Sequence, residues 1–171
     1  VRGDFARAAE LLRQNVEAAD RAPGTPRTDM QIRSQAFLAR TLSTLGAFAE
    51  GRHYGEEALR LATRAGRGVT PVIAHGCLGD LYLAQGDLEH AIRVLEPGLA
   101  LCRASGYRPW LRPIVAGLGS AAALQGRMAE GRALVEEAIS EDIRTGGLRG
   151  HANHLARLSE VYRLEGRGEE A

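Results

Sequence analysis

The chain has 171 residues, a formal net charge of +1, 44% hydrophobic and 25% charged residues, the balance of an ordinary globular protein of about one domain. Arginines and carboxylates are mixed throughout, so there is no basic stripe of the kind a phosphate backbone requires, and nucleic acid is not expected as a partner. No run approaches the ~20 apolar residues of a membrane helix and no charged-then-apolar leader opens the chain, so no membrane partner and a cytoplasmic location are expected.

Aromatic residues make up only 5% of the chain, while Ala, Leu, Arg and Glu dominate and Val, Ile and Thr are sparse, which favours helix over sheet. An all-α protein is expected. Every one of the 22 basic residues is Arg, a bias that points to a GC-rich bacterial source. The absence of Lys excludes a P-loop and a Schiff-base mechanism within this chain.

Residues 1–27 read as a partial repeat, in which Gly3-Asp4-Phe5 opens the second helix of a pair whose first helix is missing. Ala22 to Thr28, with two Pro and one Gly, is the most loop-like stretch, and Asp29 is expected to cap the helix that follows. Three repeats come next, near 28–67, 68–107 and 108–147, and 148–171 is a second partial repeat. Gly46, Gly86, Gly126 and Gly166 stand 40 residues apart, and Gly66, Gly106 and Gly146 fall 20 residues after the first three. Glycine accepts the left-handed conformation that ends a helix, so this spacing marks alternate helix ends, two helices per repeat.

The positions between these glycines agree in size. Leu38-Ala39, Leu78-Gly79, Leu118-Gly119 and Leu158-Ser159 each place a large residue before a small one, as close helix packing requires. Leu42, Tyr82, Ala122 and Tyr162 follow one turn later on the same face. In the second helix small residues recur at Gly51, Ala91 and Gly131 and again at Ala58, Gly98 and Ala138, the latter three followed by Leu59, Leu99 and Ile139. Pro97 shares its position with Glu57 and Glu137, an outward place where a kink is tolerable.

This arrangement resembles the tetratricopeptide repeat (TPR): a Leu-Gly pair, an aromatic after it, Gly at the turn, then small residues at the fifth and twelfth places. The resemblance implies a right-handed superhelical solenoid of antiparallel helix pairs, forming one TPR-like domain over 1–171. The 40-residue period exceeds the family's 34, and the Trp and Pro that mark many such repeats are missing. The run Leu45-Gly46-Ala47-Phe48-Ala49-Glu50-Gly51 is similar to repeats in the C-terminal regions of bacterial cyclase-linked and STAND-type signalling ATPases. The cut repeats at both ends agree with a fragment of a longer protein.

Other patterns carry bland readings. Gly117-Leu118-Gly119-Ser120-Ala121-Ala122 matches a dinucleotide fingerprint as a string but lacks the strand that motif needs. His151 and His154 could share a helix face, yet the repeat places no third ligand beside them, so no metal and no cofactor is expected. Glu56-Glu57 and Glu136-Glu137 are adjacent on a helix and do not face each other. Cys77 and Cys102 read as small buried residues. No nucleophile, base and carboxylate recur together, so no catalytic residue is assigned and the chain is not expected to be an enzyme.

The resemblance implies that the first helix of each pair lines a concave groove. Its polar residues by register are Arg33, Arg40, Ser43, Asp80, Ser120, Asn153, Glu160 and Arg163. Arg33 and Arg40 suit a carboxylate or acidic peptide, while Asp80 and Glu160 suit a basic group. Trp110, at the start of a first helix, either anchors a partner or packs on the preceding repeat. A protein or peptide partner is expected, another domain of the same protein included, and exposed terminal repeats offer faces for association between copies.

Overall fold

The computed structural model describes residues 3–21, 28–66, 68–146 and 150–169. Among them are eight helices and no strand: α1 (Phe5–Asp20), α2 (Asp29–Thr44), α3 (Phe48–Ala65), α4 (Thr70–Gln85), α5 (Leu88–Ser105), α6 (Arg108–Leu124), α7 (Met128–Thr145) and α8 (His151–Leu164). The chain is all-α, as composition requires. Within Val1–Asp87 α2 packs on α3, and within Leu88–Ala171 α6 packs on α7 and α7 on α8.

Every 20-residue glycine sits at a helix end. Gly46, Gly86, Gly126 and Gly166 adopt φ of 76°, 82°, 87° and 78°, a region that side chains with a Cβ rarely enter. Each of these four turns closes in the same way. The amide of the residue after the glycine donates to a carbonyl five residues back: Ala47 to Leu42, Asp87 to Tyr82, Arg127 to Ala122 and Arg167 to Tyr162, all at 2.9 Å. Carbonyls left over at the helix end are thereby satisfied.

The start of α2 differs from expectation. Its cap is Thr28 rather than Asp29. Thr28 Oγ1 accepts from the Gln31 amide (3.3 Å) and the Gln31 side chain accepts from the Thr28 amide (2.8 Å), a reciprocal pair that only the residue three places before Gln31 can make. Asp29 becomes the first helical residue, where its negative charge complements the helix end. The rest of the predicted loop, 22–27, lies outside the described residues.

The chain divides into two compact units, Val1–Asp87 and Leu88–Ala171. In the first, α3 lies antiparallel to α2 and fills the seam between α2 and α4. A Cβ on Gly51 would stand 3.0 Å from the Ala39 carbonyl oxygen and 2.7 Å from Leu81 Cδ1, and one on Gly55 would stand 2.8 Å from Leu78 Cδ1. The small positions of the second helix are thus where the large positions of the neighbouring first helices enter. Leu38, Ala39, Leu42, Leu78, Leu81 and Tyr82 are buried there. Ala9 and Val16 of α1 join Leu38 and Leu42 in the same core.

In the second unit α6 and α7 approach still more closely. A Cβ on Gly119 would lie 2.7 Å from the Gly131 carbonyl oxygen, and one on Gly131 would lie 2.6 Å from the Gly119 carbonyl oxygen. Gly119 of the string Gly117-Leu118-Gly119 therefore serves a backbone-to-backbone contact of α6 with α7. Val115, Ala116 and Ala138 continue this core, with Leu99, Leu111 and Leu134 packed on it. Pro97 stands inside α5 on an exposed side, in keeping with its register.

Candidate partner-binding surface

Four of the groove residues expected from the repeat register fall in the first unit. α2 and α4 are consecutive first helices running parallel, and polar side chains cross between them. Arg33 Nε donates to Thr70 Oγ1 at 3.0 Å, and Arg40 Nε lies 3.2 Å from Asp80 Oδ2. The Asp80 side chain is 14% exposed and that of Arg40 is 41%, so the acid is sheltered and the base reaches out over it. The Ser43 hydroxyl, nearly buried, donates to the Arg40 carbonyl (2.7 Å) and so faces its own helix. Arg33 also stands 3.9 Å from Asp29. The residues assigned to opposite ligand charges, Arg40 and Asp80, are each other's neighbours.

The other four lie in the second unit. Ser120 of α6 accepts from Arg157 of α8 (3.0 Å) and donates to the Ala116 carbonyl (3.1 Å), which ties one first helix to the next. Asn153 is exposed on α8. Arg163 grips Glu160 within α8, its Nε at 2.9 Å, and that hydrogen bond holds the Glu160 carboxyl below its ordinary range. Thr70 and Arg157 take part in these bridges although register alone did not select them.

Second helices carry their own bridges. Tyr82 of α4 donates to Glu56 of α3 at 2.8 Å, and Tyr162 of α8 to Glu136 of α7 at 3.4 Å. The two carboxylates share a repeat position, as do the two tyrosines. Their middle counterpart has Ala122, which offers no hydroxyl. Glu57 pairs with Arg60 in the first unit, with Nε donating at 2.7 Å. Trp110 is half-buried at the start of α6, and His53 lies edge-on to Tyr54 with centroids 5.5 Å apart.

Sequence reasoning missed one polar cluster. Asp142 near the end of α7 is 2% exposed, and its Oδ2 lies 2.8 Å from Nδ1 of His154, itself 3% exposed, and 3.3 Å from Nδ1 of His151. On its other side Arg112 Nε stands 2.8 Å from Oδ1, close enough for an ion pair but with the N–H not directed along the contact. Arg112 Nη1 donates instead to Thr145 Oγ1 at 2.7 Å. A signal was present in the repeat register: Asp142 replaces Ala62 and Cys102, His154 replaces Ser34, Ala74 and Ile114, and Arg112 replaces Ile32 and Val72, all of them buried. Polar groups at apolar positions of three neighbouring helices must satisfy one another. Among the described residues no group of three His, Cys, Asp or Glu side chains is arranged to hold a metal ion.

Cys77 and Cys102 are buried free thiols, and burial pushes the Cys102 thiol up to about 11. α6 and α7 also border a cleft of about 290 Å³. Among the described residues no helix is long and apolar enough to cross a membrane.

No protein-family profile matches the chain, and no curated protein matches it. Among solved structures it is similar to two crystal structures of nearly identical TPR-like repeats from a Podosopora anserina chain named after the kinesin light chain, one of them a point variant. Both are 21% identical to it, over 98% of this chain and 82% of that one, with TM-scores of 0.71 and 0.69. At this identity the likeness is one of architecture, and the chain has the all-α fold of a TPR-like helical repeat.

Proposed function

We propose that this chain is a non-catalytic scaffold that binds a protein or peptide along its first helices, as a regulatory part of a larger bacterial signalling protein of the cyclase-linked or STAND-type ATPase kind. The observation that carries the reading is the Arg33, Arg40 and Asp80 set on the adjacent parallel helices α2 and α4. The Arg40 side chain is 41% exposed, so an acidic partner group can reach its guanidinium beside Asp80. Ser120, Asn153, Glu160 and Arg163 provide the corresponding polar positions in the second unit.

The test is affinity against stability. A partner captured from lysate of the source cells and then purified is titrated against Arg33→Ala/Arg40→Ala. Loss of ~2–5 kcal/mol of affinity is expected, over and above a stability cost of about 1–3 kcal/mol from unpairing the sheltered Thr70 and Asp80, which the melts report separately. Glu89→Ala on α5, whose side chain is 86% exposed, is the outer-face control. A larger affinity loss in the control places binding on the second helices and rejects this reading.

A second reading is a small-ligand sensor that signals to a linked ATPase, cyclase or transcriptional activator domain. The cleft of about 290 Å³ between α6 and α7 favours it, being near the lower size of small-molecule sites.

A further inference from the structure

We propose that the α6–α7 cleft binds a carboxylate carried on one apolar group of about side-chain size, and that it selects monoacids over diacids. This deepens the second reading above, but it concerns binding to this chain alone, so it can fail or hold apart from any signal to a linked domain.

The cleft lies wholly in the second unit, and its floor is Leu111, Val115 and Ala138. The helices are antiparallel, so the start of α6 meets the end of α7, and there Arg108 and Arg144 both pair with Glu141. Arg144 holds Glu141 through Nε (2.8 Å) and Nη2 (2.6 Å), while Arg108 reaches it through Nη1. Two guanidiniums on one carboxylate leave one positive charge in excess and several N–H donors beyond those used. Both side chains line the cleft yet are 64% and 60% exposed, so this charge stays accessible. Arg112 is committed to Asp142 and Thr145 and adds nothing to it.

Glu137 lines the other end, one helical turn before Glu141 and beside Ala138. Its counterpart Glu57 is neutralised by Arg60 three residues on, but the residue three after Glu137 is Ser140. A ligand with its carboxylate at Arg108 and Arg144 and its apolar body on the floor would bring a second carboxylate toward Glu137, where like charges repel. Arg108 stands where the preceding repeat has Gly68 and Arg112 where it has Val72, so this wall belongs to one repeat and is not a general property of the fold.

Free organic acids and the C-terminal residue of a peptide offer the same chemistry. The intact chain is titrated calorimetrically with 3-phenylpropionate, 3-phenylpropanamide and 3-phenylglutarate, and with acetyl-Ala-Ala-Phe as free acid and as amide. Binding of a monoacid is expected, with its amide and the diacid at least about tenfold weaker, and with a similar loss in Arg108→Gln/Arg144→Gln that keeps its helical circular dichroism. Glu137→Gln should narrow the gap between 3-phenylpropionate and the diacid, a readout that survives if the double variant does not fold. Binding of the free-acid peptide but not of 3-phenylpropionate supports the site and assigns its source to a chain terminus. Equal affinity for acid and amide, an unmoved mono-to-diacid ratio in Glu137→Gln, or no saturable binding of either acid overturns the proposal.

Discussion

Nδ1 of His154 lies 2.8 Å from Oδ2 of Asp142, joining two nearly inaccessible polar side chains on α8 and α7. Taking a carboxylate out of water is costly unless its partners stay in place. Asp142→Ala removes the charge partner of Arg112 and the hydrogen-bond partner of His154 and should lose about 3–5 kcal/mol in urea unfolding. The triple variant Arg112→Val/Asp142→Cys/His154→Ile installs the residues found 40 places earlier, Val72, Cys102 and Ile114. It should recover most of that loss, because well-packed apolar replacements of buried ion pairs are often neutral or stabilising. A triple variant no more stable than Asp142→Ala shows that the cluster is not a self-contained substitution for apolar packing.

Gly119→Ala should destabilise more than Gly55→Ala. The new methyl at 119 meets the Gly131 carbonyl oxygen at 2.7 Å, and backbone on a packed helix cannot move aside cheaply. At 55 the nearest atom is the flexible tip of Leu78, at 2.8 Å. About 1–3 kcal/mol is expected for Gly119→Ala, with a smaller loss for Gly55→Ala, from paired denaturant melts. The reverse order would mean that α6 and α7 separate more easily than α3 and Leu78 rearrange.

Tyr82 should ionise late. Burial first, and then its hydrogen bond to the Glu56 carboxylate, push its phenol from 10.0 up to about 12. Since the folded state favours the neutral phenol, this contribution is complete below pH 10 and disappears as pH rises through about 12. Ultraviolet titration of tyrosinate should show a late step that is absent in Tyr82→Phe. A Tyr82→Phe curve identical to the parent at high pH would place the hydroxyl in solvent.

Thr28→Ala removes the side-chain acceptor at the start of α2 and should cost about 1 kcal/mol, whereas Asp29→Ala should cost less. Comparison of the two melts decides which residue is the cap.

Helix number, helix ends and the large-to-small seam were legible because they depend on residue size and on glycine, both of which repeat. Ala39 with Gly51 and Gly119 with Gly131 are contacts of that sort, at the same places 80 residues apart. What repeats cannot convey is what is particular to one of them. Thr28 outranks Asp29 because of Gln31, a local partner that an isolated cap preference ignores. The Arg112, Asp142 and His154 cluster shows in the sequence only when each repeat is compared with its neighbours for polar residues at apolar places. Register alone marks Arg40 and Asp80 as polar residues of the first helices, but their mutual contact depends on the parallel stacking of α2 and α4.

The four turns that close at 2.9 Å do so entirely through main-chain atoms, and the residues supplying the amide are Ala47, Asp87, Arg127 and Arg167. A small apolar, an acidic and two basic side chains thus occupy one structural role without altering it. Apart from the glycine, each of these four turns closes whatever its side chains are. Charge at these corners can therefore drift or be selected freely while the helix register stays fixed, so surface character and architecture evolve as nearly separate variables in this chain.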